Sequence, residues 1–255
     1  MKGELVYKLQ LYYKDEYIRL FQGDCLEVMD KLIEKNIKVD AIITDPPYGT
    51  TACKWDSVIP FNEMWLRLEE LIKDNGAIIL TASQPFTSAL VMSNPKLFKY
   101  EWIWEKDQGR NFQLAKKQPL KITESVLIFY KSLPTYNPQG LIKLDKPIIK
   151  SNKFKGGNLG HCSSESKRDT YTQEYTNYPK NLIKFNSERG LHPTQKPISL
   201  MEYMINTYTN ENELILDFTC GSGSTLVAAK NLKRKCIGIE LEEKYCEIAK
   251  NRLTV

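Results

Sequence analysis

The chain has 255 residues, 42% of them hydrophobic and 26% charged, proportions that suit one large globular domain or one domain with an insertion; the net charge is a mild +5. Its six cysteines form no C-x-x-C pair and only two histidines accompany them, which excludes a disulfide framework and a structural zinc site, predicts no bound metal, and fits a reducing cytoplasm. The polar start Met1-Lys-Gly-Glu-Leu5 and the lack of a long apolar run predict neither a signal peptide nor a membrane span.

Residues 17–21 read as a strand and Gln22-Gly23-Asp24 as the turn after it. Apolar positions 26, 28, 29, 32 and 33 then recur at helical spacing. Val39–Thr44 is a β-branched, apolar run short enough for a buried parallel strand. It must stop at Asp45-Pro46-Pro47, because proline cannot donate to a sheet ladder and two together force an extended exit. Residues 61–72 predict a helix, with Pro60 before it and Asn75-Gly76 after it. Residues 77–81 read as a second buried strand, and 85–92 as a helix that ends before Pro95. Strands over 100–104 and 125–130 follow, with Trp102 and Trp104 assigned to the core.

Residues 39–48 thus set a carboxylate, a stiff turn and an aromatic ring at the carboxyl end of a strand, where open α/β sheets bind ligands. An exocyclic amine on a nucleobase is a poor nucleophile, since its lone pair is delocalised into the ring. Asp45 can accept one amine proton and the Pro46 carbonyl the other, drawing the nitrogen toward tetrahedral geometry. Tyr48 offers a stacking face for an extruded base. Taken alone, the same residues also describe a strand ending in a Pro-Pro turn with a surface tyrosine.

From residue 131 to 190 periodicity disappears and Pro, Gly, Ser, Asn and Lys dominate, as in Lys153-Phe-Lys-Gly-Gly-Asn-Leu-Gly160. The segment carries eleven Lys or Arg against five Asp or Glu, so it holds all of the chain's basic excess. Aromatics are interleaved with these charges, among them Tyr136, Phe154, Tyr171 and Tyr175, which is a composition suited to nucleic acid. Lys153, Lys155, Lys167 and Arg168 are its candidate DNA-binding residues. A solvated polar loop would share this composition.

Leu191-His-Pro-Thr-Gln-Lys-Pro197 leads into a helix over 198–208. Residues 213–217 read as a strand, 218–225 as a glycine-containing turn opening a helix, 235–240 as a strand ending on Glu240, and 242–253 as an amphipathic helix. Asp217, the glycine turn and the helix N-terminus let backbone approach a ligand closely. Glu240 can accept both hydroxyls of a ribose. A dinucleotide fingerprint needs a small residue where Leu226 stands, and no G-K-[ST] is present to hold a triphosphate. A ribose without a pyrophosphate points to a nucleoside cofactor; the alternative is a glycine turn used only for packing.

Asp45-Pro-Pro-Tyr48 together with Asp217-Phe-Thr-Cys-Gly-Ser-Gly223 resembles the S-adenosylmethionine-dependent DNA amino-methyltransferases. The order of the two motifs, with the insert between them, resembles the β group of those enzymes, and His192-Pro-Thr-Gln-Lys-Pro197 is similar to the segment that precedes their cofactor strand. The resemblance spans most of residues 17–253. It implies an α/β fold: a mostly parallel, doubly wound sheet of the class I methyltransferase type, circularly permuted, with an irregular target-recognition insert. Asp217's strand should lie next to Asp45's at the switch point. The chain would divide into a catalytic half (residues 1–130), the target-recognition insert (131–190) and a cofactor-binding half (191–255).

The same resemblance implies that Asp45, Pro46, Pro47 and Tyr48 are catalytic. S-adenosyl-L-methionine would lie along Asp217, Phe218, Thr219, Cys220, Gly221, Ser222, Gly223, Ser224 and Thr225, with Glu240 on its ribose. Asp24 and the Cys25 backbone would meet its adenine, and Thr194, Gln195 and Lys196 would close over its methionine end. A Gly-Asp turn before a helix is also an ordinary N-cap. Aspartate at the head of the catalytic motif resembles the adenine-N6 enzymes, whereas N4-cytosine enzymes more often carry serine. The implied partner is double-stranded DNA, and the family also admits a homodimer and a restriction endonuclease partner. Cytosine-N4 methylation and a catalytically silent DNA-binding protein of the same fold are the alternatives.

Overall fold

The computed structural model describes residues 10–50, 56–151, 170–188, 190 and 195–254. Lys153, Lys155, Lys167, Arg168 and Thr194 lie outside the described residues. Two compact units are present, one within Met1–Asn137 and Asn181–Val255, the other within Pro138–Lys180.

In the larger unit β1 (Gln10–Lys14) pairs antiparallel with β2 (Ile18–Gln22). Helix α1 (Cys25–Glu34) follows, capped by Asp24, whose Oδ1 accepts from the Leu26 and Glu27 N–H groups. Then β3 (Val39–Thr44), α2 (Phe61–Leu71), β4 (Ile72–Ala82) and α3 (Phe86–Ser93) alternate. A long antiparallel hairpin comes next, β5 (Phe98–Arg110) and β6 (Lys121–Phe129). The smaller unit contains the antiparallel pair β7 (Ile142–Ser151) and β8 (Thr170–Thr176). Back in the larger unit come β9 (Leu182–Phe185), α4 (Ile198–Tyr208), β10 (Leu214–Asp217), α5 (Ser224–Asn231), β11 (Lys235–Glu240) and α6 (Glu243–Leu253).

Nine of the described strands form one sheet in the order β1-β2-β11-β10-β3-β4-β6-β5-β9. From β2 to β4 neighbouring strands are parallel, and β6 enters antiparallel between β4 and β5. Strand β10 lies beside β3, with Ile215 opposite Ala41 and Leu216 opposite Ile42. This is the doubly wound sheet with exchanged sequence halves that the motif order implied. Both faces are covered, so strand residues alternate between two cores and not between core and water. Ala41, Ile43, Ala77 and Ile79 pack with α4, α5 and α6; Ile42, Ile78 and Leu80 pack with α1, α2 and α3. Among the described residues no helix is long and apolar enough to cross a membrane.

Four regions differ from the sequence reading. Asn75-Gly76, expected as the stop after a helix over 61–72, lies inside β4, which starts at Ile72; glycine fits there because a Cβ at 76 would stand 2.7 Å from the Asp40 carbonyl oxygen. Strand β1 is an edge strand with exposed or half-buried side chains, so no apolar period marks it. Strands β5 and β6 run far beyond residues 100–104 and 125–130, because their distal parts face solvent and lose the apolar pattern. Residues 131–190, expected to be irregular, carry β7, β8 and β9; the described side chains of β7 and β8 are mostly exposed, which removes the alternation that would reveal a strand.

Trp102 and Trp104 are core residues, 3% and 2% exposed. The Trp102 indole N–H donates to the Tyr208 hydroxyl at 2.7 Å, and the Tyr100 hydroxyl stands 3.0 Å from the same oxygen. Tyr208→Phe removes that acceptor and leaves a buried N–H unpaired, so denaturant unfolding should show a loss of about 1–3 kcal/mol. An unchanged midpoint at unchanged slope would contradict this account.

Candidate active site

The carboxyl ends of β3 and β10 lie side by side, and threonine hydroxyls join the loops that leave them. The Thr44 hydroxyl donates to Asp217 Oδ1 and stands 2.9 Å from Thr219 Oγ1. Thr219 in turn donates through its hydroxyl to the Asp45 backbone carbonyl at 3.1 Å, and through its N–H to Asp217 Oδ1 at 3.2 Å. The two strand ends are therefore one hydrogen-bonded unit.

Both oxygens of the Asp45 carboxylate are engaged. Oδ1 accepts from the Tyr48 hydroxyl at 2.7 Å and from the Thr81 hydroxyl. Oδ2 is paired with Lys196 Nζ at 2.7 Å. That ammonium is 6% exposed, stands 3.9 Å from Glu124 Oε2, and lies 5.4 Å from the centre of the Tyr48 ring. Glu124 is also paired with Lys106 at 3.2 Å. Burial pulls the Lys196 pKa down, but the charges of Asp45 and Glu124 outweigh burial and hold it above the ordinary lysine value. Burial and then the Asp45 charge push the Tyr48 phenol well above its usual range, so it stays neutral and donates. The Tyr48 ring stacks on Phe86, with centres 5.1 Å apart and planes at 25°. Asp56 fixes the following turn by accepting from the N–H groups of Tyr48, Gly49 and Thr50 at 2.8, 2.9 and 2.8 Å.

On the β11 side, Glu240 Oε2 accepts from the Gly221 N–H at 2.9 Å and Oε1 from the Glu242 N–H at 2.8 Å. Burial raises its pKa. Asp217 is 2% exposed, and burial pushes it up to about 6 against the opposing hydrogen bonds from Thr44, Thr225 and Thr219.

A cavity of about 470 Å³ is bordered by both groups. Asp24, Cys25, Asp45, Pro46, Pro47, Tyr48, Gln195, Lys196, Asp217, Phe218, Thr219, Cys220, Gly221, Ser222, Ser224, Thr225 and Glu240 all line it. Gly223 serves packing: it starts α5 at φ +80°, and a Cβ there would lie 2.9 Å from that of Ala249 in α6. Two members of the segment expected over the methionine end line the cavity and have partners of their own. Gln195 Nε2 donates to Glu188 at 2.9 Å, and Lys196 is held by Asp45. Sequence reasoning missed Thr44, Thr81, Phe86, Glu124 and Lys106; the two threonines carried a signal, as polar residues closing otherwise apolar strands.

The charged groups on the cavity wall are Asp24, Asp45, Asp56, Asp217 and Glu240 against Lys196 alone among the described residues. Such a wall repels phosphates and suits a cationic ligand rich in N–H and O–H donors. A sulfonium nucleoside with a free amino group fits that description, and a dinucleotide does not.

A family model described as DNA methylase matches residues 39–251. This chain belongs to that family of S-adenosylmethionine-dependent DNA amino-methyltransferases. It is 30% identical over 266 residues to the Type II methyltransferase M2.LlaDCHI of Lactococcus lactis subsp. cremoris, covering 95% of this chain and 91% of that protein. The crystal structure of the M1.HpyAVI–SAM complex matches with a TM-score of 0.63 at 29% identity, over 92% of this chain and 99% of that one. The cytosine-N4-specific PvuII DNA methyltransferase matches with a TM-score of 0.66 at 14% identity, over 96% and 89% of the two chains, a likeness of fold alone. S-adenosylmethionine is accordingly the cofactor of this methyltransferase, and its fold is that of class I.

Asp217 binds its proton more tightly in the folded chain, about 6 against 3.8 for the free group. Its contribution to stability is therefore fullest below about pH 4 and is lost as pH rises through about 6. Asp217→Asn keeps an acceptor for Thr44 and Thr219 but carries no charge. The stability of the variant relative to wild type should rise between these pH values and then level off, by on the order of 3 kcal/mol. A difference that does not vary with pH would show that the Asp217 carboxylate is not desolvated.

Proposed function

We propose that this methyltransferase acts on the N6 amine of an adenine flipped out of duplex DNA at a specific sequence. What carries the reading is Asp45: an aspartate heads the catalytic motif, and its carboxylate borders the same cavity as Asp217 and Glu240. In this reading Asp45 accepts one amine proton and the Pro46 carbonyl the other. Oδ1 is already furnished with two hydroxyl donors, which keep the carboxylate oriented. Oδ2 meets Lys196 along one lone pair and retains another for the amine. Tyr48 backs the base, its ring steadied by Phe86. The bound cofactor supplies a methyl group already activated by its sulfonium, so the residues here need only flip, desolvate and align the amine.

The loop from Asp217 to Thr225, with Asp24, Cys25 and Gln195, would hold the cofactor, and Glu240 its ribose. Residues 131–190 would form the target-recognition insert between the two halves of the methyltransferase domain, on the strength of their basic excess. The Type II names of the relatives support a restriction-modification setting in the cytoplasm, with a cognate endonuclease.

Asp45→Ala should lower transfer of labelled methyl groups to duplex DNA by about 100-fold or more while leaving S-adenosylmethionine affinity within a few-fold. Digestion of DNA modified by the wild type should release N6-methyl-2′-deoxyadenosine. Wild-type turnover in the variant would remove Asp45 from the reaction, and N4-methyl-2′-deoxycytidine in the digest would overturn the adenine assignment.

A further inference from the structure

Strands β5 and β6 run on past the sheet edge at which Asp45 emerges. Ser125 of β6 stands opposite Ala82, the last residue of β4, so residues 124 back to 121 project beyond the carboxyl end of β4. The Lys121 ammonium bonds to the Ser83 hydroxyl just past that end. Gly109 lets the two arms close, since a Cβ there would lie 2.8 Å from the Leu120 Cβ.

Residues 111–120 between the arms are all exposed, yet they form a built turn. Asn111 takes φ +65° and opens a 3₁₀ turn over Phe112–Leu114. The N–H groups of Leu114, Ala115, Lys117 and Gln118 donate back to carbonyls of Asn111, Phe112 and Leu114 at 2.8 to 3.0 Å. The turn holds the Phe112 ring 77% exposed, with Leu114 at 40% beside it. Arg110, Lys116, Lys117 and Lys121 flank these side chains in sequence, and no Asp or Glu occurs from 108 to 123. An aromatic ring held out in water in a cation-rich turn, beyond the sheet edge at which Asp45 emerges, has the composition of a wedge for nucleic acid.

We propose that this tip is a second DNA contact, separate from residues 131–190. Arg110, Lys116 and Lys117 meet phosphates, and Phe112 enters the base stack beside the target, filling the gap that a flipped base leaves. The inference rests on the proposed action on duplex DNA. Duplex DNA and not a second copy of this chain is the occupant, because two such tips would set cation against cation.

The test uses the full chain, unmethylated plasmid DNA with labelled S-adenosylmethionine, and a 30-base-pair duplex of random sequence for salt titrations. Phe112→Ala should lower kcat/KM on plasmid about 10-fold or more with cofactor affinity unchanged, and Phe112→Trp should restore most of it. The triple variant Arg110→Gln, Lys116→Gln, Lys117→Gln should flatten the slope of log affinity against log salt by about 0.9 for each phosphate that is no longer neutralised. Wild-type transfer by Phe112→Ala together with an unchanged slope in the triple variant would overturn the proposal. So would a dimer that dissociates in Phe112→Ala while DNA binding stays the same. If the wild type transfers nothing, the proposed function falls, and the salt slope still decides whether the tip binds DNA.

Discussion

Parallel pairing between β3 and β10 brings together residues that stand more than 170 positions apart, Thr44 with Asp217 and Asp45 with Thr219. The rest of the site follows from that register. A shift of one residue would part Thr44 from Asp217 and Asp45 from Thr219, since side chains alternate faces along a strand. With the register as it is, the turn after β3 and the turn after β10 share hydroxyl contacts and open onto one cavity. Any ligand resting on the β10 turn therefore faces the Asp45 carboxylate without a further element to bring them together.

That arrangement concentrates carboxylates in a partly desolvated space, which costs stability unless the charges are answered. Lys196 answers Asp45 directly and Glu124 more distantly, while Lys106 answers Glu124 from the hairpin. The four groups form a chain of alternating charge, and removing Lys196 would leave Asp45 without its ion-pair partner. Among the described residues no cation is paired with Asp217; burial raises its pKa and three hydrogen bonds take the place of a counter-charge. A cationic cofactor would complete the balance that the wall leaves unfinished, which is the physical reason that these carboxylates can persist together.

Much of this was legible in the sequence where burial imposes a pattern. Val39–Thr44 and Lys235–Glu240 begin and end where their apolar runs do, and the proline pair after Asp45 and the glycines after Asp217 mark the turns. Legibility fails where side chains face solvent. The distal hairpin, β1 and the β7–β8 pair have no buried face to impose alternation, so a composition rich in lysine and polar residues reads as loop. The partners of Asp45 were hidden for a different reason. Lys196 and Glu124 are remote in sequence and meet only through strand order, which no local period encodes. The basic excess of residues 131–190 masks the β5–β6 tip, whose four cations are few in number but stand in a stretch, 108–123, without Asp or Glu.

The central claim is that one crevice takes both the cofactor and the reacting amine. Its most direct test is a crystal structure of the chain with a duplex containing its methylation site and an unreactive S-adenosylmethionine analogue. The account predicts an extruded adenine whose N6 lies within hydrogen-bond distance of an Asp45 carboxylate oxygen and the Pro46 carbonyl, with the analogue's ribose hydroxyls on Glu240. An analogue bound away from Glu240, or a target base that leaves Asp45 untouched, would contradict it.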